Sequence, residues 1–158
     1  MNDELSSSRK RPAKRSSPIT HHSSPITFKW PVRVYYEDTD LGGVVYYANY
    51  LKFLERARTE WLRALGVEQA ALARDHGVVF VVSSLAIDYL KPAAFNDELV
   101  VTVELEHAGA AQVRLVQRVT RGAEELATAR VRIACVSTGT FKPVRIPPPL
   151  TDKIGNRT

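Results

Sequence analysis

Cysteine is almost absent from this chain. Cys135 is the only one in 158 residues, so no internal disulfide can form and a reducing compartment fits. It lies in the apolar run 131–136, where a thiol is expected to pack in the core. Histidine is scarce too. His21 and His22 are neighbours without a third ligand, His76 and His107 fall at the ends of expected elements, and no Cys/His set has zinc spacing. No metal or other cofactor is therefore expected. There is no Gly-x-Ser-x-Gly elbow for a serine hydrolase. No apolar run is long enough to span a bilayer, and the basic N-terminus has no apolar segment of a secretory signal. The cytoplasm is the default expectation.

Charge is present but unevenly placed. The formal net charge is +5, yet residues 1–29 hold Arg9, Lys10, Arg11, Lys14, Arg15 and Lys29 against Asp3 and Glu4, net +4. The remainder carries only +1, so the folded part is not expected to bind nucleic acid. Residues 1–28 are rich in Ser, Pro, Arg and Lys, and a short Ser-Ser-Pro-Ile-Thr repeat occurs at 16–20 and 23–27. This composition reads as a disordered basic arm. Its run at 9–15 suits nucleic acid or anionic lipid, or is simply solvated. With 44% hydrophobic residues, the rest is enough for one domain, expected over 29–149, with a tail at 150–158.

Within that domain, residues 32–36 read as a first strand and 68–76 as a short helix closed by Gly77. Residues 78–90 form a long β-rich run. Leu99, Val101, Val103 and Leu105 alternate with polar residues, as do Val113, Leu115, Gln117 and Val119. Ala127, Ala129, Val131, Ile133 and Cys135 share one face of a last strand, with Arg130 and Arg132 on the other. Short turns join these strands, so they pair antiparallel. One helix after the first strand followed by a meander gives an α+β fold, and Pro147-Pro-Pro149 is expected to end it.

The central stretch joins the first strand to the main helix. Tyr50, Phe53, Leu54, Ala57, Trp61 and Leu65 recur at helical spacing, and Gly66 fits the helix end. Just before it come Asp38 and Asp40, then Gly42 and Gly43, which lack Cβ and let the backbone turn sharply under a substrate. A carboxylate beside the unpaired N–H groups of a helix N-terminus is a usable kit for attack on an acyl carbonyl. The same carboxylate can equally cap the turn or the helix.

The segment Asp38-Thr-Asp40-Leu-Gly-Gly43-Val-Val-Tyr-Tyr47-Ala-Asn-Tyr50, with Phe53-Leu-Glu-Arg-Ala-Arg58 after it, resembles the signature of hot-dog-fold acyl-CoA thioesterases. It is most similar to the 4-hydroxybenzoyl-CoA thioesterase / YbgC group and its Tol-Pal-associated branch. Residues 142–147 resemble that branch's usual end. The resemblance implies an antiparallel sheet wrapped around one long central helix. It implies hydrolysis of an acyl-CoA, with Asp40 as nucleophile or general base. It assigns thioester-oxygen binding to the Tyr47 backbone N–H, with Gly43 beside the substrate. That branch commonly has His where this chain has Tyr47, a departure that bears on side-chain role and substrate class. Glu55 is a second candidate base or an ion-pair partner of Arg56 and Arg58, and Arg114, Arg118, Arg130 and Arg132 are candidates for the CoA phosphates. The family further implies a homodimer or homotetramer with sheets paired edge to edge and the pocket between subunits.

Two rivals remain. Asp38-Thr-Asp40 after an apolar strand also resembles haloacid-dehalogenase-type phosphohydrolases, which need Mg²⁺ and a parallel sheet. The Tol-Pal-associated resemblance alternatively implies a scaffold binding acyl-carrier protein or acyl-CoA, with weak hydrolysis.

Overall fold

The computed structural model describes residues 26–155. The first 25 residues of the expected arm, including its basic run, the first copy of its repeat and the His21-His22 pair, lie outside the described residues, as do 156–158. Five strands follow the chain as β1 (Phe28–Arg33), β2 (Val78–Tyr89), β3 (Glu98–Ala108), β4 (Gln112–Arg121) and β5 (Glu124–Ser137). They form one sheet in the order β1-β3-β4-β5-β2, and every pairing is antiparallel. This is the expected α+β architecture. The parallel sheet that phosphohydrolase chemistry requires is not formed among the described residues.

The alternating apolar positions define the inner face. One cross-sheet row runs Trp30, Val101, Val119, Ala127 and Tyr89, and the row Leu105, Leu115, Val131 and Leu85 lies beyond it. Over this face lies α1 (Asn49–Ala64), packed chiefly on β3 and β1. Its buried stripe is Tyr50, Phe53, Leu54, Ala57 and Leu62, with Trp61 half-buried. The helix stops where the sequence says it should. Gly66 adopts φ 74°. Its N–H donates to Arg63 C=O, and the Val67 N–H reaches back to Leu62 C=O. That is a Schellman end, sealed by the buried pair Leu62 and Val67.

Three boundaries differ from expectation. The first strand lies at 28–33, not 32–36, because Trp30 and Val32 pair with Val101 and Leu99. Tyr36–Asp38 then forms a short 3-10 turn. The second helix, α2, spans Gln69–His76, one residue shorter than expected. The tail expected at 150–158 is helical as far as Gly155. A third helix, α3 (Pro148–Gly155), starts within the proline run and buries Leu150 and Ile154 in the main core. Proline suits a helix's first turn, where no N–H partner is needed, so 147–149 begins an element instead of ending the fold.

Candidate active site

The acidic turn is built by its own backbone. Asp40 N–H donates to Val44 C=O, and Asp40 C=O accepts from Gly43 N–H, both at 3.0 Å. Isolated bridges pair Thr39 with Val45 and Val44 with Ala94. Gly43 has φ 73° and nothing within 4 Å of where a Cβ would stand, so the turn demands glycine there and leaves open space above it. A Cβ on Gly42 would come to 3.0 Å from Asp40 Oδ1, the atom that accepts the Gly42 N–H at 2.8 Å. The Asp40 carboxylate is thus aimed by a backbone donor while its residue stays exposed.

Asp38 has a different task. It is buried, and its Oδ2 accepts the Tyr35 N–H at 2.8 Å. Its carbonyl accepts the Tyr46 N–H and the Asn49 Nδ2, both at 2.9 Å. Those two bonds bolt the turn to the start of α1. Asp38 therefore stabilises the turn.

At that helix start, Tyr46 C=O accepts the Asn49 N–H at 2.8 Å. Neither the Tyr47 nor the Ala48 N–H has an acceptor among the described residues. The Tyr47 side chain is exposed, and its ring stacks edge-on against Tyr46 and Tyr89. The Tyr46 phenol is held above its ordinary value, first by the Tyr47 side chain and also, more weakly, by burial and the Asp40 carboxylate. No hydrogen bond joins Asp40 to Tyr47; the shared strut through Asp38 sets their relation.

Beside Tyr47 is an open pocket of about 280 Å³ whose walls include Tyr50, Tyr89, Lys91 and Pro92. Asp40 and Gly43 lie outside this lining. Tyr50 is 3% exposed, and its hydroxyl accepts the Ala93 N–H at 3.2 Å. Burial raises the Tyr50 phenol above its ordinary value.

The loop flanking this pocket is held by charge. Arg121 bonds Asp97 and Glu124 at 2.6 Å each, and Lys91 bonds Glu124 at 2.8 Å. The Ala94 N–H first, then Arg121, holds the Asp97 carboxyl below its usual range, and Lys91 followed by Arg121 does the same for Glu124. Depressed folded values give stability that is present above the ordinary carboxylate range and lost as pH falls through them. Arg121→Gln is therefore expected to lower Tm at pH 7, with the gap to wild type closing under acid. Thermal scans from pH 7 to pH 3 check this; a gap that stays constant refutes it.

The remaining candidates lie elsewhere. Glu55 is exposed and accepts from Thr59 Oγ1 at 2.7 Å, and it forms no ion pair with Arg56 or Arg58 among the described residues. Arg114, Arg118 and Arg130 lie on the outer sheet face in ion pairs with Glu106, Glu104 and Glu125, and Arg132 is exposed on the same face. Cys135 is fully buried, and burial raises its thiol. Among the described residues, no cluster of His, Cys, Asp and Glu could hold a metal, and no helix is long and apolar enough to cross a membrane. Sequence reasoning missed Tyr89 as a neighbour of Tyr47. Alternation with Leu85 and Ile87 pointed it inward, but nothing local shows contact across 42 positions.

Comparison with known proteins gives the family and agrees with the fold. Residues 34–154 match the model of the thioesterase-like superfamily. The acyl-CoA thioesterase YbgC of Haemophilus influenzae is 49% identical over 120 residues, covering 76% of this chain and 88% of that protein. The acyl-CoA thioester hydrolase YbgC of Escherichia coli is 42% identical over 121 residues, covering 76% and 90%. Among solved structures, a probable thioesterase from Bartonella henselae superposes with a TM-score of 0.73 at 35% identity, covering 77% of this chain and all of that one. A 1,4-dihydroxy-2-naphthoyl-CoA thioesterase from Synechocystis gives 0.77 at 25% identity, covering 82% and 96%. With a matching fold, a family model over 34–154 and this identity across nearly the whole folded region, the chain belongs to the hot-dog thioesterase-like superfamily, in the branch of the YbgC acyl-CoA thioesterases.

Proposed function

We propose that the Asp40 carboxylate drives thioester hydrolysis in this enzyme and that the Tyr47 N–H binds the thioester oxygen. The carrying observation is the link between their two segments: Asp38 C=O holds both Tyr46 N–H and Asn49 Nδ2, tying the turn that carries the aimed Asp40 carboxylate to a helix start with unpaired N–H groups. Such donors stabilise negative charge as it develops on the carbonyl oxygen. Two routes balance. In one, a carboxylate oxygen bonds to the acyl carbon, the C–S bond breaks, CoA leaves as thiolate, and water opens the anhydride to release acid and restore Asp40. In the other, Asp40 takes a proton from water as the water oxygen bonds to the acyl carbon, the C–S bond breaks, and the thiolate takes that proton from Asp40 as CoA leaves. Single turnover in ¹⁸O water tests for the anhydride. Label entering Asp40 marks an anhydride opened at the Asp40 carbon, whereas label confined to the released acid fits the general base and equally an anhydride opened at the acyl carbon. A panel of acyl-CoAs run with wild type and Asp40→Asn tests the reading itself; turnover indifferent to Asp40 overturns it. The acyl-carrier-protein scaffold draws no support of its own from the site.

The active unit is a homo-oligomer in this reading. β1 is a short edge carrying Pro31, a poor template for pairing. β2 is a 12-residue edge paired on one side only, with Val82 exposed, and it ends at Tyr89 in the pocket wall. A long unpaired edge of this kind is satisfied by a second copy, which brings two pockets together. Light scattering after size exclusion is expected to give a dimer or tetramer, and a monomer at working concentration refutes it.

A further inference from the structure

The Tyr47–Ala48 peptide is held from outside the helix. Tyr89 Oη donates to Tyr47 C=O at 2.8 Å, across from the far end of β2. The donor is itself held, though its ring stays partly exposed. Tyr89 pairs in register with Ala127, and the chain beyond it is bonded to Leu126 C=O through the Leu90 and Lys91 N–H groups at 2.8 and 3.1 Å. Its ring meets Tyr50 edge-on at 5.4 Å and Tyr47 at 6.2 Å. Tyr50, in turn, is buried and tied to Ala93.

We propose that Tyr89 is a positioning residue for thioester hydrolysis, holding the Tyr47 carbonyl so that the N–H groups at the start of α1 keep the orientation that receives the thioester oxygen. This rests on the reading of the Tyr47 N–H as oxygen-binding donor. The peptide unit is planar, so a bond to one atom orients the whole plane. Asn49 N–H on Tyr46 C=O sets the plane that carries the Tyr47 N–H. Tyr89 on Tyr47 C=O sets the next plane, which carries the Ala48 N–H. With both planes restrained, the Tyr47 backbone has little torsional freedom, and the donors need little reorganisation as charge develops. Accepting a hydrogen bond also polarises the Tyr47–Ala48 peptide, which strengthens its N–H as a donor. The geometry further ties the site to the sheet edge: the residue that orients the helix start is the last residue of β2, so the register of that edge strand is read at the active site.

Tyr89→Phe is the test, because it deletes the donated bond and keeps the ring. The expected result is a kcat about tenfold lower with KM within about twofold, since an indirect donor is worth less than the roughly 10²–10³ of a direct one. Tm should stay within about 2 °C of wild type, losing one partly exposed bond. Unchanged kcat overturns the proposal. So does a raised KM at constant kcat, which makes Tyr89 only pocket wall, or a kcat loss that tracks a lowered Tm. Tyr47→Pro, compared with Tyr47→Ala as its side-chain control, tests the underlying reading separately. Equal activity in those two removes the Tyr47 N–H from the mechanism whatever Tyr89→Phe does.

Discussion

Asp40→Asn should leave the fold intact and lower kcat by about 10²–10⁴-fold on whichever acyl-CoA the enzyme prefers. The substitution is nearly isosteric. Asn keeps an Oδ1 to accept the Gly42 N–H, so the turn and its glycines have no reason to move. What disappears is the negative charge. A carboxamide neither adds to a thioester carbonyl nor takes a proton from water, so both routes available to Asp40 close together. KM should change little, because the charge is needed in the transition state and the bound substrate is neutral at its thioester. Circular dichroism and Tm serve as the fold control, and free-thiol release under saturating substrate is the readout. A variant that keeps more than a tenth of wild-type kcat would falsify the assignment and move attention to Glu55, an exposed carboxylate on α1.

Much of this was legible in the sequence because its signals are local. Period-two alternation in β3, β4 and β5 located the inner face; the positions it names are buried there except Leu105, which is half-buried, while Thr102, Leu126 and Val136 are buried outside the pattern. Helical spacing located α1, and Gly66 located its end. The turn was legible for the same reason: two carboxylates and two glycines within six positions have few backbone solutions. Three things were not legible. The proline run at 147–149 carries the same local signal whether it ends a fold or opens a helix, and burial of Leu150 and Ile154 decides between them. The Tyr89–Tyr47 bond joins an edge strand to a helix start with no pattern linking them. The third is the polar contact beneath the helix, where spacing put Arg58 off the apolar stripe and alternation put Gln117 inside, with no hint that the two meet.

That contact sets a large stability effect for a single core substitution outside the site. Gln117 is 0% exposed, on the inner face of β4. Its Nε2 donates to Leu54 C=O at 3.1 Å and to Thr102 C=O at 3.4 Å, and its Oε1 accepts from Arg58 Nη1 at 3.0 Å. Arg58 has no carboxylate within ion-pair distance among the described residues, and burial pulls its guanidinium below the ordinary value, with Glu55 opposing. The guanidinium therefore leans on one neutral acceptor. Gln117→Leu matches the volume and the apolar surroundings but removes that acceptor, leaving a half-buried cation and a helix carbonyl without their partner. The cost should be about 2–4 kcal/mol, equivalent to a Tm lower by about 10 °C. The double variant Arg58→Met with Gln117→Leu should recover much of that loss, because no charge then remains to be compensated. Denaturant unfolding at one fixed protein concentration measures all four corners of the cycle. If Gln117→Leu were neutral, or if the double variant were no more stable than the sum of the singles allows, Arg58 would be finding its solvation elsewhere, and the Gln117 contact would be incidental to how α1 is held on the sheet.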